Sequence, residues 1–159
     1  MNKPVARIRH AQLKDIDSLV ALLEELFSIE EDFAFDAERQ QKGLQLMLES
    51  PLSCVLAAET NNGVIGMCTG QLTISTAEGS ASLLVEDVIV NKAWRGQGVG
   101  RQLLDRLSRW GCDQGATRMQ LLADRTNKSG LDFYTRSGWQ QTQLICLRKR
   151  QKTKKPPFD

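Results

Sequence analysis

Histidine is almost missing from this chain: His10 is the only one in 159 residues. The four cysteines, Cys54, Cys68, Cys112 and Cys146, are scattered and form no C-x-x-C pair. A zinc centre needs clustered His, Cys or carboxylate ligands, and a disulfide framework needs paired cysteines in a small secreted scaffold. Neither is indicated, so no metal is expected and the cysteines read as reduced packing residues. Long apolar runs are missing too. No stretch approaches the roughly 20 residues of a membrane span, and Met1-Asn2-Lys3-Pro4-Val5 lacks the apolar core of a signal peptide. The expectation is a cytoplasmic protein with no membrane partner. Repeats, internal linkers and low-complexity segments are absent, apart from a basic C-terminus.

What remains is ordinary globular material, 41% hydrophobic and 25% charged, in a length that suits one domain with a real core. The formal charge of +2 hides an asymmetry. Six of the eight residues from Arg148 to Lys155 are basic; without that run and Asp159, 15 basic residues face 18 acidic ones. Residues 1–147 read as the domain and 148–159 as a solvated tail containing Pro156-Pro157, with a nucleic-acid or membrane tether as the alternative. At the opposite extreme, Glu24 to Glu38 holds seven carboxylates and no Lys or Arg, with Phe27, Phe33 and Phe35 interleaved. A solvated helix face accounts for this, and so does a rim that attracts cations.

In chain order, Val5 to Arg9 alternates as a strand. Asp15 is a candidate N-cap for a helix carrying Ile16, Leu19, Val20, Leu23, Leu26 and Phe27 on one face. A second helix runs from about Asp36 to Leu48 and stops before Pro51. Cys54 to Glu59 and Val64 to Ile74 form a hairpin around Asn61-Asn62-Gly63. Glu78-Gly79-Ser80 turns into a strongly apolar strand from Leu83 to Val90. A long helix follows, ending near Gly115, then a strand from Met119 to Ala123. Lys128 to Ser137 is a helix ending at Gly138, and Gln143 to Arg148 is a last strand. A strand–helix–strand crossover implies a parallel pair. The fold class is therefore α/β (α+β): one mixed central sheet, antiparallel first and parallel at its centre, flanked by helices.

Two segments carry chemistry. The first is Arg95-Gly96-Gln97-Gly98-Val99-Gly100, between the apolar strand and the long helix. Its helix-start N–H groups point one way without partners, and with the positive end of the helix dipole they suit a phosphate or pyrophosphate. Glycines at 96, 98 and 100 keep Cβ atoms out of an anion's path, and Arg95 can add charge-assisted bonds. No Lys-Ser/Thr pair follows, which excludes a P-loop, and the spacing is not G-x-G-x-x-G. It does match R-x-x-G-x-G. The second segment, Asn127 to Trp139, looks like N-x-x-A-x-x-F-Y-x-x-x-G-F, with Gly130 for Ala and Trp139 for Phe.

Together the two segments resemble the GNAT superfamily of acetyl-CoA-dependent N-acetyltransferases. The resemblance implies acetyl-CoA as co-substrate, with its pantetheine arm on exposed backbone of Val88 and Val90. Its diphosphate would rest on the loop from Arg95 and Gly96 through Gln97, Gly98 and Val99 to Gly100, and Asn127 would bond to its arm. Tyr134, the only tyrosine, falls on the general-acid position. Glu86-Asp87 resembles a pair in polyamine and glucosamine-phosphate N-acetyltransferases of the superfamily, which makes Glu86 the base, acting through water. Strand alternation sends Glu86 and Asp87 to opposite faces unless a bulge intervenes, and Asp87 is expected to pair with an arginine or cap a turn. Acceptor specificity in the superfamily commonly comes from the first helical region. The acidic rim, with Glu30, Glu31 and Phe33 as candidate contacts, then favours a cationic small amine such as a polyamine or aminoglycoside. A peptide or protein amine remains open, as does a non-catalytic acyl-CoA-binding module with a nucleic-acid-binding tail. A homodimer is expected by family habit.

Overall fold

The computed structural model describes residues 5–152. Strand β1 (Arg7–His10) is followed by helices α1 (Ile16–Phe27) and α2 (Ala37–Glu49). Strands β2 (Ser53–Thr60), β3 (Gly63–Ser75) and β4 (Ser80–Val90) come next. Helix α3 (Val99–Asp113), strand β5 (Ala116–Leu121) and helix α4 (Lys128–Arg136) complete the order. The five strands form one sheet in the order β1-β2-β3-β4-β5. The first three pairings are antiparallel, while β4 and β5 are parallel across the α3 crossover.

Burial on both sides of the sheet explains the apolar strands. Leu56, Cys68, Leu83 and Val85 pack with Val99, Leu103, Leu104 and Leu107 of α3. On the other face, Val55, Met67 and Ile89 pack with Leu19, Leu22, Leu23 and Leu26 of α1 and Leu44 of α2. Close approach of α3 depends on Gly70 and Gly111. A Cβ at Gly70 would lie 3.0 Å from side-chain carbons of Leu107 and Leu83, and one at Gly111 would lie 2.8 Å from Leu83. Helix α1 enters through a short 3-10 turn, and Asp15 does not cap it by its side chain. Its carboxylate instead accepts from the Gln12 backbone N–H at 2.7 Å and from both terminal nitrogens of Arg9 at 2.7 and 2.9 Å. Arg9 also grips Glu59 through Nε and a terminal nitrogen at 2.9 and 2.8 Å. One guanidinium thus ties β1 to β2 and to the start of α1.

One observation bears on everything at the site. Leu83 and Val85 belong to the cluster beneath α3, while Ile89 belongs to the cluster beneath α1 and α2. Strict alternation puts residues 83, 85, 87 and 89 on one face. The phase changes because the β3–β4 register slips between Met67↔Ile89 and Thr69↔Glu86. Two residues of β4, Asp87 and Val88, stand opposite Cys68 alone, which is a β-bulge. Asp87 has φ +51, the single non-glycine residue with positive φ among the described residues.

Three sequence expectations change. The strand after α3 is Ala116–Leu121 rather than Met119 to Ala123. Gln143 to Arg148 is not a strand. Leu144, Ile145 and Leu147 are 87, 72 and 86% exposed, so neither face of the segment has a sheet or core to bury it, and side-chain pattern alone cannot hold a strand without a paired edge. Of the cysteines, Cys54 and Cys68 are buried packing residues, but Cys112 and Cys146 are exposed. Among the described residues no helix is long and apolar enough to cross a membrane. The tail residues 153–159, with Pro156-Pro157, and the N-terminal residues 1–4 lie outside the described residues.

Candidate active site

The sheet opens beside the glycine loop. Pairing of β4 with β5 runs from Ala81↔Ala116 to Val85↔Leu121 and ends there, while β4 continues to Val90. The backbone from Glu86 to Val90 therefore has no β5 neighbour on that side, and Val88 and Val90 lie along the opening. Arg95 closes its far end, donating from Nε to the Val90 carbonyl at 2.8 Å and from a terminal nitrogen to Glu25 of α1 at 2.6 Å. Arg95 thus braces the loop to α1, and Val88 is left with the freer backbone.

Helix α3 begins at the mouth of this opening. Gly96 and Gly98 have φ of +74 and +79, a backbone that side chains rarely adopt, and Gly98 is the N-cap. The first intrahelical bond goes from Gln102 N–H to the Gly98 carbonyl. The N–H groups of Val99, Gly100 and Arg101 therefore point out of the helix start. Gly100 has a different reason to be glycine: a Cβ there would lie 3.2 Å from Cζ of Phe133. It seats α4 against α3 and so fixes the neighbouring Tyr134.

Tyr134 is half-buried between Phe133 and Trp139, with ring centroids 5.2 and 5.9 Å away. Burial first, then repulsion from Glu30 and Cys68, pushes its hydroxyl up to about 12. The phenol is therefore protonated at neutral pH and available as a proton donor. Asn127 caps α4, its side-chain oxygen accepting from Gly130 N–H at 3.0 Å. A Cβ at Gly130 would come within 2.8 Å of the Asn127 amide, so the departure from Ala leaves room for Asn127 to fold onto the helix.

On the α1–α2 face lies an open cavity of about 500 Å³, lined by Leu23 and Phe27 of α1, Leu44 and Met47 of α2, and by Glu86 and Asp87. The bulge puts both carboxylates on this face. Glu86 is exposed, opposite Thr69. Asp87 is half-buried and accepts a hydrogen bond from the fully buried Thr69 hydroxyl at 3.0 Å. Burial raises its carboxyl to about 6 against the pull of that bond, with Glu86 adding to the rise. The expected arginine partner is not what holds it. Glu30, in the loop between α1 and α2, is also raised, by burial first and then by Asp87, Asp124, Asp32 and Glu86. Glu30 therefore lies within electrostatic range of Asp87 and Glu86. Glu31 and Phe33 are exposed on the same loop, Phe33 packing on Phe27 at 5.6 Å. Asp87, Thr69 and the cavity residue Arg39 were missed as site residues in the sequence. A continuously apolar strand hides its phase, so only the doubled carboxylate hinted at the bulge.

The sequence profile described as "Acetyltransferase (GNAT) family" matches residues 16–139. An aminoalkylphosphonate N-acetyltransferase of Salmonella typhimurium is 27% identical over 139 residues, covering 87% of this chain and 88% of that one. A thialysine N-epsilon-acetyltransferase of Bos taurus is 25% identical over 143 residues, covering 84% and 83%. Among solved structures, the aminoglycoside N-acetyltransferase AAC(6')-Iy in complex with CoA superposes with a TM-score of 0.82 at 16% identity, covering 94% of this chain and 97% of that one. The opened sheet, the N–H groups at the start of α3 and the half-buried phenol of α4 fit acetyl-CoA as co-substrate. With a profile match spanning most of the described residues, the chain belongs to the GNAT family of acetyl-CoA-dependent N-acetyltransferases.

Proposed function

We propose that this enzyme acetylates a cationic primary amine by direct transfer in a ternary complex. The observation that carries this reading is the bulge at Asp87, which turns two adjacent carboxylates into one apolar-walled cavity, with a third, Glu30, within range of their charge. Such a pocket favours an ammonium group, and more than one carboxylate suits an acceptor with more than one positive charge. Asp87, held by Thr69, anchors the ammonium. Glu86 takes the proton through water. Tyr134 donates the proton the departing thiolate needs. The N–H groups from Gln97 to Gly100 hold the diphosphate, with Arg95 stiffening the loop; Val88, Val90 and Asn127 receive the arm. Cys68 lies near Tyr134 and Asp87, yet burial pushes its thiol well above the usual range. A protonated thiol is a poor nucleophile, which supports direct transfer over an acetylated cysteine.

Arg39 supports a second reading. It lines the same cavity, and its side chain is 81% exposed beside Asp36. An acceptor bearing an amine at one end and an anion at the other would use both signs of charge, as the Salmonella relative's aminoalkylphosphonate would. Three exposed apolar side chains, Leu144, Ile145 and Leu147, support the homodimer, which sedimentation checks.

The test is thiol release from acetyl-CoA with spermidine, an aminoglycoside, thialysine, an aminoalkylphosphonate and a short peptide, on wild type and Tyr134→Phe. Turnover of a polycation, lost in Tyr134→Phe while acetyl-CoA still binds, supports the first reading. Preference for the aminoalkylphosphonate, abolished by Arg39→Ala, supports the second. Turnover of the peptide alone would overturn both.

A further inference from the structure

We propose that the chain's own basic tail is an acceptor: Arg148 docks on Phe33 and delivers a following lysine to the carboxylate cavity, where it is acetylated. This rests on the cavity being the acceptor site.

The acidic loop between α1 and α2 has no Lys or Arg of its own, whereas the tail from Arg148 to Lys155 holds six cations in eight residues. The described part of that tail is exposed and has no regular structure. It nevertheless returns to the loop. The Arg148 guanidinium carbon lies 4.8 Å from the centroid of the Phe33 ring. Phe33 packs on Phe27 with centroids 5.6 Å apart, and Phe27 lines the cavity that also contains Glu86 and Asp87. A continuous path of contacts therefore runs from the tail to the site.

The strength of the contact suits an exchanging occupant rather than a lock, since an exposed cation–π pair is weak. Lys149 is adjacent to the anchor, and four residues of extended chain to Lys152 span up to about 14 Å. Tethering supplies an effective concentration on the order of millimolar, enough for a weakly bound lysine to visit the site often. Arg148 cannot itself be an acceptor, because its guanidinium stays protonated; it serves as the anchor.

The chemistry is that of the transfer proposed above. A lysine Nζ loses one proton to the Glu86–Asp87 pair, and its lone pair attacks the thioester carbonyl carbon. The C–N bond forms and the C–S bond breaks. Sulfur leaves with the bonding pair and takes the proton of Tyr134, and the second nitrogen proton passes through water to restore the Tyr134 phenol. The product amide is neutral, so the modified lysine loses its attraction to the carboxylates and leaves, which limits the reaction on each side chain.

The full-length protein is incubated with acetyl-CoA and no added amine, then analysed by intact mass and peptide mapping. Parallel samples contain spermidine and the aminoalkylphosphonate as external acceptors. The expected result is acetylation at Lys149 or Lys152, or at Lys154 or Lys155 beyond them, with a rate per molecule unchanged across a dilution series. Arg148→Gln should slow it several-fold without lowering turnover of the external amine, and Tyr134→Phe should abolish it. An enzyme that turns over an external amine but leaves its tail unmodified overturns the proposal alone. Equal modification in Tyr134→Phe, or a rate that rises with protein concentration, also overturns it. Turnover of no acceptor at all overturns the proposed function and this inference together.

Discussion

Replacing Asp87 with Asn should stabilise the protein while impairing it, and the gain should depend on pH in a calculable way. Asp87 is a carboxylate held in a left-handed backbone at φ +51 and raised from 3.8 to about 6, chiefly by burial. A folded-state pKa above the unfolded value means that the native state holds the proton more tightly. Stability from this group is present in acid and is lost as pH rises through the interval from the unfolded to the folded pKa. At roughly 1.4 kcal/mol per unit, the ceiling on that loss is about 3 kcal/mol. Asn is isosteric, can accept the same bond from Thr69 and tolerates positive φ, so the variant omits only the titration. Its advantage over wild type should be small at pH 4, grow as pH rises through the interval between the two pKa values, and approach about 3 kcal/mol by pH 8. Urea unfolding of both proteins across this range measures the difference, in which Asp15, Glu59 and other shared titrations cancel. Amine turnover should fall sharply in the same variant, because the ammonium anchor loses its charge. A stability difference that is flat with pH, or a variant destabilised throughout, would refute the claim that a buried ionising carboxylate sits at the bulge.

Tyr134→Phe removes the proton donor but little packing, so kcat should fall about a hundredfold or more with acetyl-CoA affinity unchanged by calorimetry. Arg9→Met strands the buried Asp15 carboxylate and should cost about 3 kcal/mol at neutral pH. The Arg9 guanidinium holds Asp15 below the usual carboxylate range, so the stability it confers is present above the unfolded pKa and lost as pH falls through the folded one. Denaturant titrations at neutral and acid pH should therefore converge for wild type and Arg9→Met. Gly100→Ala places a methyl 3.2 Å from Phe133; because Ala favours the helix by about 1 kcal/mol, thermal stability should barely change. Displacement of α4 should instead lower kcat through Tyr134, and a variant with full kcat would refute that role.

The sequence by itself determined the covalent and local part of this protein. Arg95 to Gly100 already specifies a helix start with open N–H groups, because Gly96 and Gly98 need left-handed backbone and no Lys-Ser/Thr pair follows. Asn127 and Gly138 bracket α4, and the spacing from Asn127 to Tyr134 fixes which residue is the phenol. These are short-range consequences of residue type, and they survive in any context that lets the helices form. Tertiary structure decided what depends on a partner. The phase of β4 could not be read from a strand buried on both faces; only its register against β3 shows that Asp87 joins Glu86 instead of opposing it. Gly100 is small for Phe133, Arg95 is spent on Val90 and Glu25, and Asp15 turns from its cap to Arg9, because each choice belongs to a neighbour distant in sequence. Gln143 to Arg148 has a strand's composition but no paired edge, and its basic end rests on Phe33, more than a hundred residues earlier. Local propensity sets what a segment prefers, and the competing contact supplies the energy that decides whether it gets it.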